Sequence, residues 1–245
     1  MFFNRSILVF ILLVILSIDS VSAGLLANTT RVIFSEGEKK KSLTIANVND
    51  YPVLSQVWVD SGEGDPNSKL APFVVLPPVL KLDPNEKANV VLVYNHASLP
   101  ADKESIFWIN LYEVPPLSRE SKDEDYLRLA MNTQMKLFYR PRSIPSDSSS
   151  APSMLNFKLM YSDNGEFYIL CDNPTPYHIS MVAFKLKGEE RESLDDQGVD
   201  ILISPYSNRK LIMGINKNEI HNANVAYTVI DDYGQLMNYE KPLRN

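Results

Sequence analysis

The sequence predicts an all-β protein of two β-sandwich domains, and three observations carry that expectation. Short runs rich in β-branched and aromatic residues recur along the chain, with proline, asparagine and glycine between them. No stretch sustains the apolar period of an amphipathic helix. A serine- and proline-rich segment, residues 141–152, separates two series of such runs as a linker separates domains.

The first residues read as an export signal. Arg5 supplies a positive start, residues 7–18 an almost unbroken apolar core, and Val21-Ser22-Ala23 a small-residue cleavage site. The apolar stretch is short of the ~20 residues that span a bilayer, and Asp19 closes it, so a cleaved signal over residues 1–23 is preferred to a stable membrane anchor. What remains, residues 24–245, is ample for two cored domains of ~100 residues each.

The expected strands of the first domain are residues 31–34, 42–47, 53–60, 73–76, 89–94, 106–114 and 126–140, a density that fits a sandwich. Turn sequences such as Gly62-Glu63-Gly64-Asp65-Pro66-Asn67 and Asp83-Pro84-Asn85 punctuate them. Beyond the linker come residues 155–161, 167–171, 179–186, 199–203, 209–213 and 224–230, enough for a second, somewhat smaller sandwich. The expected domains are therefore 24–142 and 153–245, flanking a linker at 143–152.

Composition narrows the function. The one cysteine, Cys171, lies in an apolar run, which rules out an intramolecular disulfide and points to a buried, inert thiol. Stability must come from packing, which 44% hydrophobic residues permit. A net charge of −6 argues against nucleic acid or an anionic membrane as the main partner. His96, His178 and His221 are scattered, without metal-site spacing, and neither a nucleophile elbow nor a glycine-rich phosphate loop occurs. The acidic pairs Glu189-Glu190 and Asp195-Asp196 sit in polar, turn-like stretches. No cofactor, metal or catalytic site is expected.

Residues 126–142 are the most informative segment. Leu127, Leu129 and Met131 share one face at the strand period of two, and Lys136 has the opposite parity, close to Arg140 and Arg142. Such a strand suits the capture of another extended chain by its end. The competing reading buries the apolar face in the protein's own core and leaves the cations in water.

Several segments resemble a known family. Asn28-Thr29-Thr30-Arg31-Val32-Ile33-Phe34, Glu104-Ser105-Ile106-Phe107-Trp108-Ile109-Asn110-Leu111 with Glu113-Val114-Pro115-Pro116, Lys136-Leu137-Phe138-Tyr139-Arg140-Pro141, Asn173-Pro174-Thr175-Pro176-Tyr177 and Ile230-Asp231-Asp232-Tyr233-Gly234 resemble the periplasmic pilus chaperones of the chaperone-usher pathway. They occur in that family's order over nearly all of the mature chain.

The resemblance implies two immunoglobulin-like sandwiches set at an angle, with a cleft between them. It implies a non-enzymatic periplasmic protein that captures pilus subunits and delivers them to an outer-membrane usher. By position, Arg31 and Lys136 match the pair that grips the subunit's terminal carboxylate, and Leu127, Leu129 and Met131 match the donated strand. Strand donation of this kind is an established mode of chaperone–pilin recognition. Glu104, Arg140 and Asp232 match a charged trio between the domains; as exposed pairs they would contribute only about 0–1 kcal/mol each. Asn173 to Tyr177 reads as a structural turn.

Departures from the family pattern are equally specific. The segment after Pro116, residues 117–126, is short and charged, like the short-loop subclass, and lacks the cysteine pair of the long-loop one. The second domain cannot form the disulfide that some relatives carry. A donated edge strand also leaves self-association of the free protein open. The main alternative is a secreted two-domain adhesion or binding module with residues 126–140 packed inward. A hydrolase on a β-sandwich would need a clustered acid or histidine site.

Overall fold

The computed structural model describes residues 24–68, 70–116, 130–161, 167–187, 201–212 and 223–244. The chain is nearly all β, in two domains. The first contains β1 (Leu25–Ala27), β2 (Arg31–Ser35), β3 (Lys40–Asn47), β4 (Val53–Asp60), β5 (Phe73–Leu76), β6 (Val79–Leu82), β7 (Lys87–Tyr94), β8 (Ser105–Val114) and β9 (Met131–Arg140). They form a sheet of order β1-β3-β7-β5 and another of order β2-β9-β8-β4-β6.

Alternation explains the pairing of these sheets. Leu43 and Ile45 of β3, and Val90 and Leu92 of β7, point inward from one sheet to meet Val57 of β4, Ile109 and Leu111 of β8 and Leu137 of β9 from the other. An aromatic cluster closes one end, where Phe73 lies 5.2 Å from Phe34 and 5.3 Å from Phe107, ring centre to ring centre.

The chain changes sheets early. β1 pairs with β3, but β2, after only residues 28–30, pairs in parallel with β9. Thr29 sits at the switch and donates its hydroxyl to the Arg31 carbonyl at 2.8 Å. This places Arg31 directly opposite Lys136.

The second domain contains β10 (Asn156–Tyr161), β11 (Phe167–Asn173), β12 (Ile179–Lys187), β13 (Ile201–Ile203), β14 (Ser207–Ile212), β15 (Asn224–Ile230) and β16 (Leu236–Arg244). Their order is β13-β12-β15-β16-β10-β11-β14, and a short parallel pairing of β10 with β16 links the two halves. Phe157, Ile169, Cys171 and Leu211 from one half pack with Met181, Phe184, Val225 and Val229 from the other. Cys171 is fully buried, as its apolar run implied.

Each domain turns a corner on a buried asparagine. Asn47 Nδ2 donates to the carbonyls of Tyr51, Leu82 and Asp83, and Asn173 Nδ2 to those of Tyr177 and Ser204. The side-chain amide replaces the ladder bonds that the chain gives up there.

Three strands escape the sequence pattern. β1 is three residues long, β6 buries only Leu82, and β16 buries no residue fully. The linker segment is packed rather than free: Ile144 and Ala151 join the second core, and residues 151–154 form a 3₁₀ turn. Residues 127 and 129 of the expected donor strand, and the charged segment 117–126, lie outside the described residues.

Candidate binding site between the domains

β9 divides into two halves. Met131 to Gln134 are exposed, whereas Met135 and Leu137 to Arg140 are buried and Lys136 is half-buried. The odd residues of the inner half, Met135, Leu137 and Tyr139, enter the first core; Phe138 instead faces the second domain, its ring 5.7 Å from that of His178.

Hydrogen bonding divides the strand at the same place. Along its whole length β9 pairs with β8, from Met131 opposite Glu113 to Tyr139 opposite Ser105. On its other side β2 pairs only from Lys136 to Arg140. Among the described residues, the outer half of β9 therefore has a strand neighbour on one side only.

The two cations stand where this open lane ends. Arg31 Nη1 donates to the Ile230 carbonyl at 2.9 Å, and Lys136 Nζ to Ser180 Oγ at 2.9 Å. Both partners belong to the second domain, on β15 and β12. A cavity of about 80 Å³ lies alongside, lined by Arg31, Glu104, Phe138, Tyr177, His178 and Asp232 among others. The turn from β15 to β16 approaches closely here, because Gly234, at φ +83°, leaves room that a Cβ would lose to Thr30 Oγ1 at 2.7 Å.

Glu104, Arg140 and Asp232 come together at the same junction. Arg140 Nε and Nη2 reach Glu104 Oε1 at 2.8 and 2.6 Å, and Nη1 and Nη2 reach the two Asp232 oxygens at 2.8 and 3.2 Å. Arg140 also donates to the Ser146 carbonyl and lies 5.2 Å from the centre of the Tyr177 ring. The expectation of exposed pairs is corrected here, since Arg140 is 5% and Glu104 3% exposed. The reason is the packed linker and the second domain, which cover them.

Burial works against the Arg140 charge, but the bonds and charges of Asp232 and Glu104 outweigh it and hold its pKa above the ordinary arginine value. Glu104 is also a backbone clamp: its N–H donates to the Pro176 carbonyl at 2.9 Å, and Oε2 accepts the His178 N–H at 2.9 Å.

These contacts extend over both domains, so the comparison with known proteins concerns the whole chain. Residues 24–145 match the N-terminal domain, and residues 150–241 the C-terminal domain, of the PapD-type pili assembly chaperones. The chain belongs to the pili assembly chaperone family. The probable fimbrial chaperone YadV of Escherichia coli K12 is 33% identical over 96% of this chain and 96% of its own. Its crystal structure superposes with a TM-score of 0.75 over 89% of this chain and 99% of that one. The probable fimbrial chaperone LpfB of Escherichia coli O157:H7 is 37% identical over 72% of this chain and 73% of its own. A complex of the Salmonella enterica SafA pilin with the SafB chaperone shares the fold, at a TM-score of 0.74 and 24% identity over 92% of this chain and 99% of that one.

The family is that of the fimbrial chaperones of the chaperone-usher pathway, a non-enzymatic and periplasmic group. No helix among the described residues is long and apolar enough to cross a membrane.

Residue types alone did not reveal the supporting groups at this site. Ser180, His178, Ser146 and the Ile230 carbonyl act through position, as does Ser148, whose hydroxyl donates to Asp232 Oδ2 at 2.9 Å, and a lone serine or a carbonyl carries no sequence signal. Gly234 does: a glycine closing an Asp-Asp-Tyr-Gly turn announces a tight approach.

Proposed function

We propose that this chaperone binds fimbrial subunits in the periplasm by adding a subunit strand beside the outer half of β9, anchors the subunit's terminal carboxylate on Arg31 and Lys136, and passes the subunit to an outer-membrane usher. The observation that carries the reading is that the open lane beside Met131 to Met135 ends at these two cations.

The lane fixes a direction. A guest strand whose last carboxylate meets Arg31 and Lys136 and whose body lies beside Met131 to Met135 must run parallel to β9, as β2 does beyond it. Its backbone groups would bond to the unpaired side of β9, and its apolar groove would receive the face that Met131 shares with Leu127 and Leu129. Each aliphatic side chain so buried contributes about 1.5–3 kcal/mol before the costs of ordering and association. The cations set where the guest stops, since a carboxylate between two of them gains charge-assisted hydrogen bonds. In this reading a cleavable signal, residues 1–23, delivers the chain to the same compartment, and the short charged sequence 117–126 supports membership of the short-loop subclass.

The test is a pull-down of the tagged chain from the periplasm of its native host, beside a Lys136→Ala version, with co-purifying proteins identified by mass spectrometry. Small β-rich subunits retained by the wild type and lost by the variant are expected. Equal recovery by both would overturn the carboxylate anchor.

A further inference from the structure

Away from the interdomain site, the first domain holds a second cluster of buried polar groups, at the end of β8. Glu113 is 5% exposed. Its Oε1 accepts from Asn49 Nδ2 at 2.9 Å, while Oε2 is buried with no hydrogen-bond partner among the described residues. Buried carboxylate oxygens normally have a donor or a cation, because stranding one costs several kcal/mol in other proteins. Asn49 is itself fixed, its N–H and Nδ2 both donating to Asn47 Oδ1 at 3.0 and 2.9 Å.

The backbone of Gly24 lies beside this oxygen; the Tyr51 hydroxyl is also near the same carboxyl, since burial first and then the charge and hydrogen bonding of Glu113 raise the Tyr51 pKa. Gly24 is buried; its N–H donates to Asn49 Oδ1 at 2.8 Å, and its carbonyl accepts from the Val48 N–H at 3.1 Å. A Cβ built on Gly24 would lie 3.7 Å from Glu113 Oε2, in ordinary contact. Gly24 is also the residue that follows the small-residue cleavage site Val21-Ser22-Ala23.

We propose that Asn49 and Glu113 form a docking site for the free α-ammonium group of Gly24, made when the signal is removed after Ala23; the inference rests on that reading of the cleavage site. Hydrolysis of the Ala23–Gly24 bond consumes one water, leaves a carboxylate on the departing Ala23 and an amine on Gly24, and the amine takes a proton at neutral pH. A peptide N–H offers one proton and no charge, which Asn49 Oδ1 already uses. An ammonium offers two further protons and the positive charge that a buried carboxylate requires.

The position gives the site a consequence. Glu113 is the β8 partner of Met131, so the docked terminus fastens the sheet beside the outer end of the donor strand. Before processing, that carboxyl has the neutral Asn49 amide as a donor; after it, it gains an ion pair as well. Removal of the signal thereby completes the first domain at the strand it offers to subunits.

The experiment has two separate readouts. Intact mass of the exported protein reports the cleavage reading: a chain beginning at Gly24 is expected, and any other start overturns the proposal. The docking site is then read from urea midpoints of four mature chains, with and without one extra alanine before Gly24, each in the wild-type and Glu113→Gln backgrounds. The extra alanine should lower the midpoint of the wild type and leave that of Glu113→Gln unchanged; an equal drop in both, or none in the wild type, overturns the site. Should Glu113→Gln fail to fold, acylation of the wild-type α-amine at neutral pH decides. It should be at least roughly tenfold slower in the folded chain than in urea, and equal rates overturn the proposal.

Discussion

Arg31 and Lys136 stand opposite each other in the parallel β2–β9 pair, and both reach across to the second domain, one to the Ile230 carbonyl and the other to the Ser180 hydroxyl. Two cations held side by side repel, and in the proposed binding mode an arriving carboxylate would relieve that repulsion. A synthetic peptide copying the last strand of a subunit should therefore bind better with a free carboxylate than with an amidated end. Losing one member of a desolvated charge pair costs about 2–5 kcal/mol, so amidation should weaken binding at least about 30-fold. Titration calorimetry with the two peptides checks this, and matching affinities would show that the cations do not read the chain end.

The outer half of β9 gives a prediction of opposite character. Met131 is 51% exposed and supports no core, so Met131→Asp should leave folding stability within about 0.5 kcal/mol of the wild type. In the proposed binding mode the same change puts a charge on the face that enters a subunit groove and forfeits the burial of a methionine. Subunit affinity should fall at least about tenfold. Thermal unfolding and subunit binding, measured on one preparation, separate the two effects; a large fall in stability would mean that Met131 packs inward.

Most of the fold was legible in the sequence because strong alternation and the core coincide. β4, β7 and β8 show this, with inward residues such as Val57, Val90 and Ile109 that any period-of-two reading finds. β16 was not legible because its nine residues, Leu236–Arg244, bury none of their side chains fully; backbone pairing to β15 and β10 places it, not an apolar face. The asparagine corners at Asn47 and Asn173 show a likeness between the domains that rests on single side chains, too little for a repeat to register in sequence. At the site, Arg31, Lys136 and the charged trio were readable through family resemblance. Their burial was not, because it depends on how the linker and second domain fold over Arg140.

That burial changes what the trio is worth. Arg140 and Glu104 are almost wholly enclosed, and removing one partner of a buried pair costs about 3–5 kcal/mol, against the 0–1 kcal/mol of an exposed one. Arg140→Ala would leave the Glu104 carboxylate buried with only the His178 N–H and a histidine nitrogen 3.7 Å away. Urea denaturation should show a loss in that larger range. Arg140→Lys, which keeps the charge but not the fork that spans Glu104 and Asp232, should recover only part of it. A loss below about 1 kcal/mol for Arg140→Ala would mean that the junction is solvated in solution.

Cys171 supplies a chemical probe of the second core. Burial, with a smaller contribution from the Asp172 charge, pushes its thiol up to about 12. An unfolded cysteine titrates near 8.5, so at pH 8 the folded protein holds roughly a thousandfold less thiolate. Alkylation of the native chain should accordingly be slow by about that factor or more and become fast in urea. The linked effect on stability has a definite sign: the folded state favours the neutral thiol, a contribution fully present below pH ~8.5 and lost as pH rises toward 12. Cys171→Ala should remove that alkaline component while introducing a small cavity beside Tyr227 and Phe157. Rapid alkylation of the native protein would show instead that the half of the domain carrying β11 opens readily.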